Sequence, residues 1–184
     1  MGEYSNRYTL HIDPNFSPAQ VKAITVAAED IERETGVKYD IVVEHADCGE
    51  MSSDYNTCIR ASYTEYVASR CNAIGASGCT EHTYAGSSAN ANSDIAVNHP
   101  QFNVGEYGEE YVNALFSATV SHEMLHALGL DHVTDPGALM YPMTGPSKYQ
   151  AHIGRTGALT SLTCSDFAQY QALRGLKSEC LITK

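Results

Sequence analysis

The sequence predicts a mixed α/β domain built on a sheet that is at least partly parallel. Three observations point there. Between Tyr8 and Glu44 a short alternating strand, a capped amphipathic helix and a β-rich run follow one another, and strands joined through such a crossover lie parallel in one sheet. A long helix with an apolar stripe runs from Glu109 to Gly129. An irregular stretch, residues 133–161, then leads to one last capped helix.

Taken in order, Tyr8–Ile12 alternates in polarity and reads as the first strand. Ser17-Pro18-Ala19-Gln20 is a capping box with proline at the first helical position. Val21, Ile24, Ala28 and Ile31 then share one helical face, and Gly36 closes the helix. Lys38–Glu44 is β-rich and forms the second strand, and Thr57–Thr64 the third. From Ser69 to Ser93, Gly, Ser, Ala and Asn dominate, which predicts loop with edge strands near Cys79–Tyr84 and Asp94–Val97. Glu109-Glu110 places acid where a helix dipole favours it. Val112, Leu115, Phe116, Val120, Met124 and Leu128 keep helical spacing from there to Gly129. Thr163-Cys164-Ser165-Asp166 is a second capping box, opening a helix that is expected to end at Gly175. The chain contains no internal repeat.

At 184 residues one domain is expected, residues 1–184, long enough to bury a core. The net charge of −11 argues against nucleic acid or an anionic membrane as partner. No apolar run approaches the length of a transmembrane helix. Six cysteines with no C-x-x-C spacing give no support to a zinc ribbon or a thioredoxin-like site. Their even number suggests three disulfides and a secreted, extracellular protein. Of the fifteen connectivities that six cysteines allow, the sequence-local one is expected: Cys48–Cys58, Cys71–Cys79 and Cys164–Cys180. The last pair is within reach, because ten helical residues rise about 15 Å and about five extended residues can cover about 17 Å back. No signal peptide opens the chain, and Met1-Gly2 is the expected start once an export signal and any propeptide have been removed.

Function is concentrated in residues 122–132, His-Glu-Met-Leu-His-Ala-Leu-Gly-Leu-Asp-His. His122 and His126 are four apart, so they project from one helical face and can share an ion. Gly129 can adopt the left-handed conformation that ends the helix, and the returning chain delivers His132. Three neutral imidazoles with an open fourth position are a catalytic zinc set. Glu123, beside the first ligand, is placed to act as general base toward a water and then as acid toward a leaving amine. H-E-x-x-H alone arises by chance in helices. The added Gly129 and His132, followed after eight positions by Met140 in Ala138-Leu139-Met140-Tyr141-Pro142, give the pattern its specificity.

On these residues the chain resembles the metzincins, and among them the matrixins, the catalytic domains of matrix metalloproteinases. His132 to Pro142 resembles their third ligand and Met-turn, centred on Met140. Leu162–Gly175 resembles their closing helix, with Asp166 where the Met-turn is braced, and His82-Thr83-Tyr84-Ala85-Gly86 resembles the segment after their substrate-binding edge strand. The resemblance implies a five-stranded twisted mixed sheet packed on two long helices, an upper subdomain over about residues 1–132, and a small lower subdomain over about 133–184 holding the Met-turn and closing helix. It also implies a zinc endopeptidase acting on a protein or peptide substrate, with the chain expected to be a monomer. An extended peptide would add to the edge strand at Thr80, Glu81 and His82. The side chain after the scissile bond would enter a pocket walled by Ala118, Thr119, His122, Pro142, Met143 and Thr144, roomy and apolar because Ala118 is small.

The departures from the family shape the expectation. Of the residues that bind a structural zinc in matrixins only His82 matches, Ala96 stands at another ligand position, and the acidic calcium cluster is thin, at Asp94 and Asn98. One catalytic zinc is therefore expected and no structural zinc, with calcium left open, and His82 is read as an edge residue. Pro142 stands where astacins and serralysins carry a metal-reaching tyrosine, so Tyr141 is read as a packing residue. Thr144 replaces a family tyrosine and leaves the pocket's depth open. His11, His45, His99 and His152 have no ligand spacing to the motif; His152 and Arg155 fall in the loop expected to border the pocket. Two alternatives stand beside a general endopeptidase: a zinc-holding binding or adhesion module without turnover, and a processing peptidase of narrow specificity.

Overall fold

Strand β1 (Arg7–Ile12), helix α1 (Pro18–Thr35) and strand β2 (Lys38–Val43) form the predicted βαβ unit in a computed structural model that describes residues 6–51, 55–83, 92–102, 109–142 and 162–175. The capping box closes as the sequence requires. Gln20 N–H donates to Ser17 Oγ at 3.3 Å, and Ser17 N–H donates to Gln20 Oε1 at 2.9 Å. Gly36 ends α1 in the left-handed region at φ 75°.

Beyond β2 the chain continues through β3 (Asn56–Ser62), α2 (Thr64–Arg70), β4 (Gly78–Thr83) and β5 (Asn92–Asn98), then a 3-10 turn (His99–Phe102), α3 (Glu109–Ala127) and α4 (Cys164–Leu173). The strand order is β2-β1-β3-β5-β4. β1, β2, β3 and β5 are parallel, and β4 runs antiparallel to β5 at the sheet's edge. Helix α2 departs from the expectation of strand running into loop. It is seven residues long, its N-cap Tyr63 makes no side-chain cap bond, and it buries only Val67. Such a helix has too few periodic positions to announce itself in sequence.

One core joins these elements. Leu10, Ile12, Ile59, Ile95 and Val97 of the sheet meet Ile24, Ala28 and Ile31 of α1 and Phe116, Val120, Met124 and Leu128 of α3. Phe16 and Phe102 pack edge-on to Phe116 at 5.7 and 5.1 Å, a favoured geometry for aromatic quadrupoles. Helix α3 lies centrally, burying Thr119, Ser121, His122 and Glu123 as well as its apolar stripe. Polar groups are taken inside a helix packing only at a cost of a few kcal/mol unless partnered, so this stretch marks the site. No helix among the described residues is long and apolar enough to cross a membrane.

Cys48 and Cys58 form a disulfide, with Cα atoms 5.8 Å apart. Cys164 is also disulfide-bonded, and its expected partner Cys180 lies outside the described residues. The expected Cys71–Cys79 bridge is absent: both are thiols. Cys71 Sγ donates to the Gly78 carbonyl at 3.3 Å and the two thiols are hydrogen-bond partners, with burial as the main cause raising both above the usual thiol range. Nearness in sequence brought the two side chains together without setting the directed geometry that a disulfide needs.

Three of the remaining histidines have ordinary partners. His11 is buried between Glu44 at 2.8 Å and Asn56 at 3.2 Å. His99 meets Gln20 at 3.2 Å and stacks edge-on to Phe16. The exposed His45 pairs with Asp13 at 3.3 Å. His152 and Arg155 lie outside the described residues.

Candidate active site

Helix α3 presents His122 and His126 one turn apart, and Gly129, at φ 94°, reverses the chain so that His132 returns to them. The three Nε2 atoms lie 3.1–3.2 Å from one another. The opposite ring nitrogens fix what these atoms offer. His122 Nδ1 faces the Leu139 carbonyl at 2.7 Å, and His126 Nδ1 faces the Leu130 carbonyl at 2.6 Å. A carbonyl only accepts, so each Nδ1 carries the proton and each Nε2 turns a lone pair to the centre. Burial, the main cause, lowers the His126 pKa to about 4, which keeps that ring neutral.

Converging lone pairs repel unless a cation lies between them. Zinc–nitrogen bonds of about 2.0–2.1 Å with tetrahedral angles place ligand nitrogens about 3.3 Å apart, close to the spacing found. His122, His126 and His132 are also the one group of metal-ligating side chains so gathered among the described residues. The donor set fits zinc.

A cavity of about 610 Å³ opens over this centre, lined by Thr80, His82, Thr119, Glu123 and Pro142 along with the three histidines. Of the residues expected to wall a substrate pocket, Thr119 and Pro142 reach the cavity. Ala118 does not line it, since adjacent helical residues point about 100° apart. Met143 and Thr144 lie outside the described residues. Strand β4 forms the rim, its far edge unpaired among the described residues. Glu81 points away from the cavity lining and pairs with Arg70 at 2.7 Å.

Beyond His132 the chain turns through Met140, which is fully buried and accepts from Val133 N–H at 3.0 Å. The Asp166 carboxylate accepts from Leu139 N–H and Met140 N–H, each at 2.9 Å, and from Thr163 N–H and hydroxyl at 2.9 and 2.7 Å. Since the Leu139 carbonyl also meets His122 Nδ1, Asp166 in the first turn of α4 is one residue removed from that ring. Tyr141 is half-buried at the cavity wall.

His82 is half-buried on β4, with Nδ1 3.1 Å from Ser93 Oγ and a hydrogen bond to the His126 backbone. The acidic positions nearby have protein partners: Asp94 is bound by Arg60 and Arg70, and Asn98 bonds Thr64 and Ala76. Arg70, whose side chain is only 8 % exposed, gives no signal in the sequence because α2 is too short to show a helical period.

Comparison with known proteins adds a family match and a fold match. A peptidase family model described as matrixin matches residues 50–156. Among solved structures, the archaemetzincin of Methanopyrus kandleri superposes with a TM-score of 0.52 at 10% identity, covering 92% of this chain and 97% of that one. The archaemetzincin of Archaeoglobus fulgidus, solved with malonate, gives a TM-score of 0.50 at 10% identity over 88% and 99%. At that identity these likenesses speak to the fold alone. No curated protein matches by sequence.

Proposed function

Because the chain belongs to the matrixin family, metzincin zinc peptidases, we propose that it is a secreted zinc-dependent endopeptidase that cuts extended peptide segments. The observation that carries this is the convergence of three imidazole Nε2 atoms, 3.1–3.2 Å apart, beside the Glu123 carboxylate in a cleft rimmed by an edge strand. His122, His126 and His132 would hold the metal. Zinc bound there supplies Lewis acidity toward the scissile carbonyl and lowers the pKa of water to about 7.

Glu123, only 6% exposed, takes the proton of the attacking water and delivers it to the amine as the peptide bond breaks. Its backbone is fixed in α3, next to His122, so base and ligand share one rigid element. The outer edge of β4 receives the substrate backbone as an added strand. The side chain after the scissile bond enters the cavity past Thr119 and Pro142, where a hydrophobic residue is preferred. The turn through Met140 serves as the Met-turn, an apolar floor beneath the three imidazoles held by Asp166. The Cys48–Cys58 bridge and the bonded Cys164 support an exported protein.

Replacing Glu123 by Ala tests the reading. Peptide cleavage should fall by roughly 100-fold or more, the scale of a positioned acid–base group, while zinc content stays at one per chain. Undiminished cleavage by that variant would remove Glu123 from the mechanism.

A further inference from the structure

We infer that Thr80 is a positioning residue for the general base: its hydroxyl fixes the Glu123 carboxylate, coupling the substrate-binding strand to the proton-transfer group. The inference rests on the peptidase reading above and concerns a contact that the sequence pattern does not announce, since Thr80 was expected only as part of the strand that pairs with substrate.

Along β4, side chains alternate between faces, and the residues facing α3 are Gly78, Thr80 and His82. Each meets α3 at a residue of the site. A Cβ on Gly78 would lie 2.8 Å from Glu123 Cγ and 3.0 Å from its Oε1, so only glycine leaves the glutamate room to lie against the strand. Thr80 Oγ1 then lies 2.7 Å from Glu123 Oε2 and 3.0 Å from the Glu123 carbonyl oxygen. Both are acceptors, so the threonine hydroxyl donates its one proton, and the shorter contact directs it to the carboxylate. His82 bonds the His126 backbone one turn further on.

Glutamate has three rotatable side-chain bonds, and a base must sit within hydrogen-bond reach of the proton it takes. A donor on Oε2 holds the carboxylate in one orientation. Threonine suits the task because branching at Cβ makes its own rotamer stiff. The donor belongs to the same strand whose far edge receives the substrate, so a shift of β4 on peptide pairing moves the base with it.

Thr80→Val keeps the shape and removes the donor; Thr80→Ser keeps the donor. On zinc-loaded full-length protein, Thr80→Val is expected to lower kcat roughly 10- to 100-fold, the scale of one hydrogen bond to a charged group, with KM and zinc content unchanged. Thr80→Ser should stay within about threefold of wild type, since it keeps that bond. A valine variant with full kcat, or a serine variant that falls as far as valine, would overturn the inference. A second readout does not depend on turnover. In a double-mutant cycle followed by melting temperature, Thr80→Val should shift the zinc-loaded protein less in the Glu123→Ala background than in wild type, by about 2–4 °C. Equal shifts in both backgrounds would overturn the contact. Zinc-loaded wild type that cleaves no peptide would sink the peptidase reading, and the cycle would still decide whether Thr80 holds Glu123.

Discussion

Two of the three imidazoles in the site, His122 and His126, are controlled from their far side. The carbonyls of Leu139 and Leu130 take the Nδ1 protons of His122 and His126, which decides the tautomer and turns basic nitrogens toward the centre. Asp166 extends that control by one step, because its carboxylate accepts from the N–H groups of Leu139 and Met140. Asp166→Asn would keep one acceptor oxygen and present an NH₂ to backbone donors. The expected result is a loss of roughly 2–4 kcal/mol of stability and a zinc affinity lower by about 10- to 100-fold, measured by denaturant unfolding and by zinc titration. Unchanged affinity would show that the turn does not orient His122. At this scale the ligands were legible in the sequence, because a helix converts a four-residue spacing into one face. The Thr80–Glu123 contact was not, since it joins positions 43 apart and depends on how β4 lies against α3.

At the level of elements, β4 and α3 make the site together: the helix carries His122, His126 and Glu123, and the strand carries the rim and the hydroxyl that meets Glu123. What secures β4 is partly electrostatic. Arg70 of α2 reaches both Asp94 of β5 and Glu81 of β4, and Arg60 of β3 adds a second guanidinium to Asp94. Fixed cationic side chains thus neutralise Asp94, one of the two positions of the thin acidic cluster, for which calcium was left open. Helix α2 was hidden in the sequence because one buried residue and no side-chain cap leave no periodic signal, whereas both capping boxes were read correctly because each is a local, self-contained bonding pattern. The Cys48–Cys58 bridge ties the segment after β2 to β3 across a sequence separation of 10. Replacing both cysteines by serine should cost about 2–3 kcal/mol by loop-closure entropy, read as a lower denaturant midpoint. An unchanged midpoint would mean that the bridge is not a staple of the fold.

For the molecule as a whole, the βαβ start fixed the parallel part of the sheet, while the antiparallel β4 was legible only as an edge segment. Pairing of non-consecutive strands depends on the whole core, not on any local pattern. The fold brings the three histidines from α3 and the chain beyond Gly129 into one place, so an ion held there would link metal binding to folding. Chelation should lower the melting temperature and added zinc should restore it, by about 2.7 kcal/mol of stabilisation at a hundredfold excess over Kd; a melting temperature indifferent to both would argue that the histidines hold no ion. Three histidines and Glu123 are proposed above to form a working peptidase centre. A quenched-fluorescence peptide-library assay on wild type and Glu123→Ala, with zinc measured on the same samples, tests it most directly. Wild type should cleave with a hydrophobic residue favoured after the scissile bond, and the variant should lose cleavage at equal zinc content. Zinc-loaded wild type that leaves every peptide intact, or a variant that cuts as well as wild type, would contradict it.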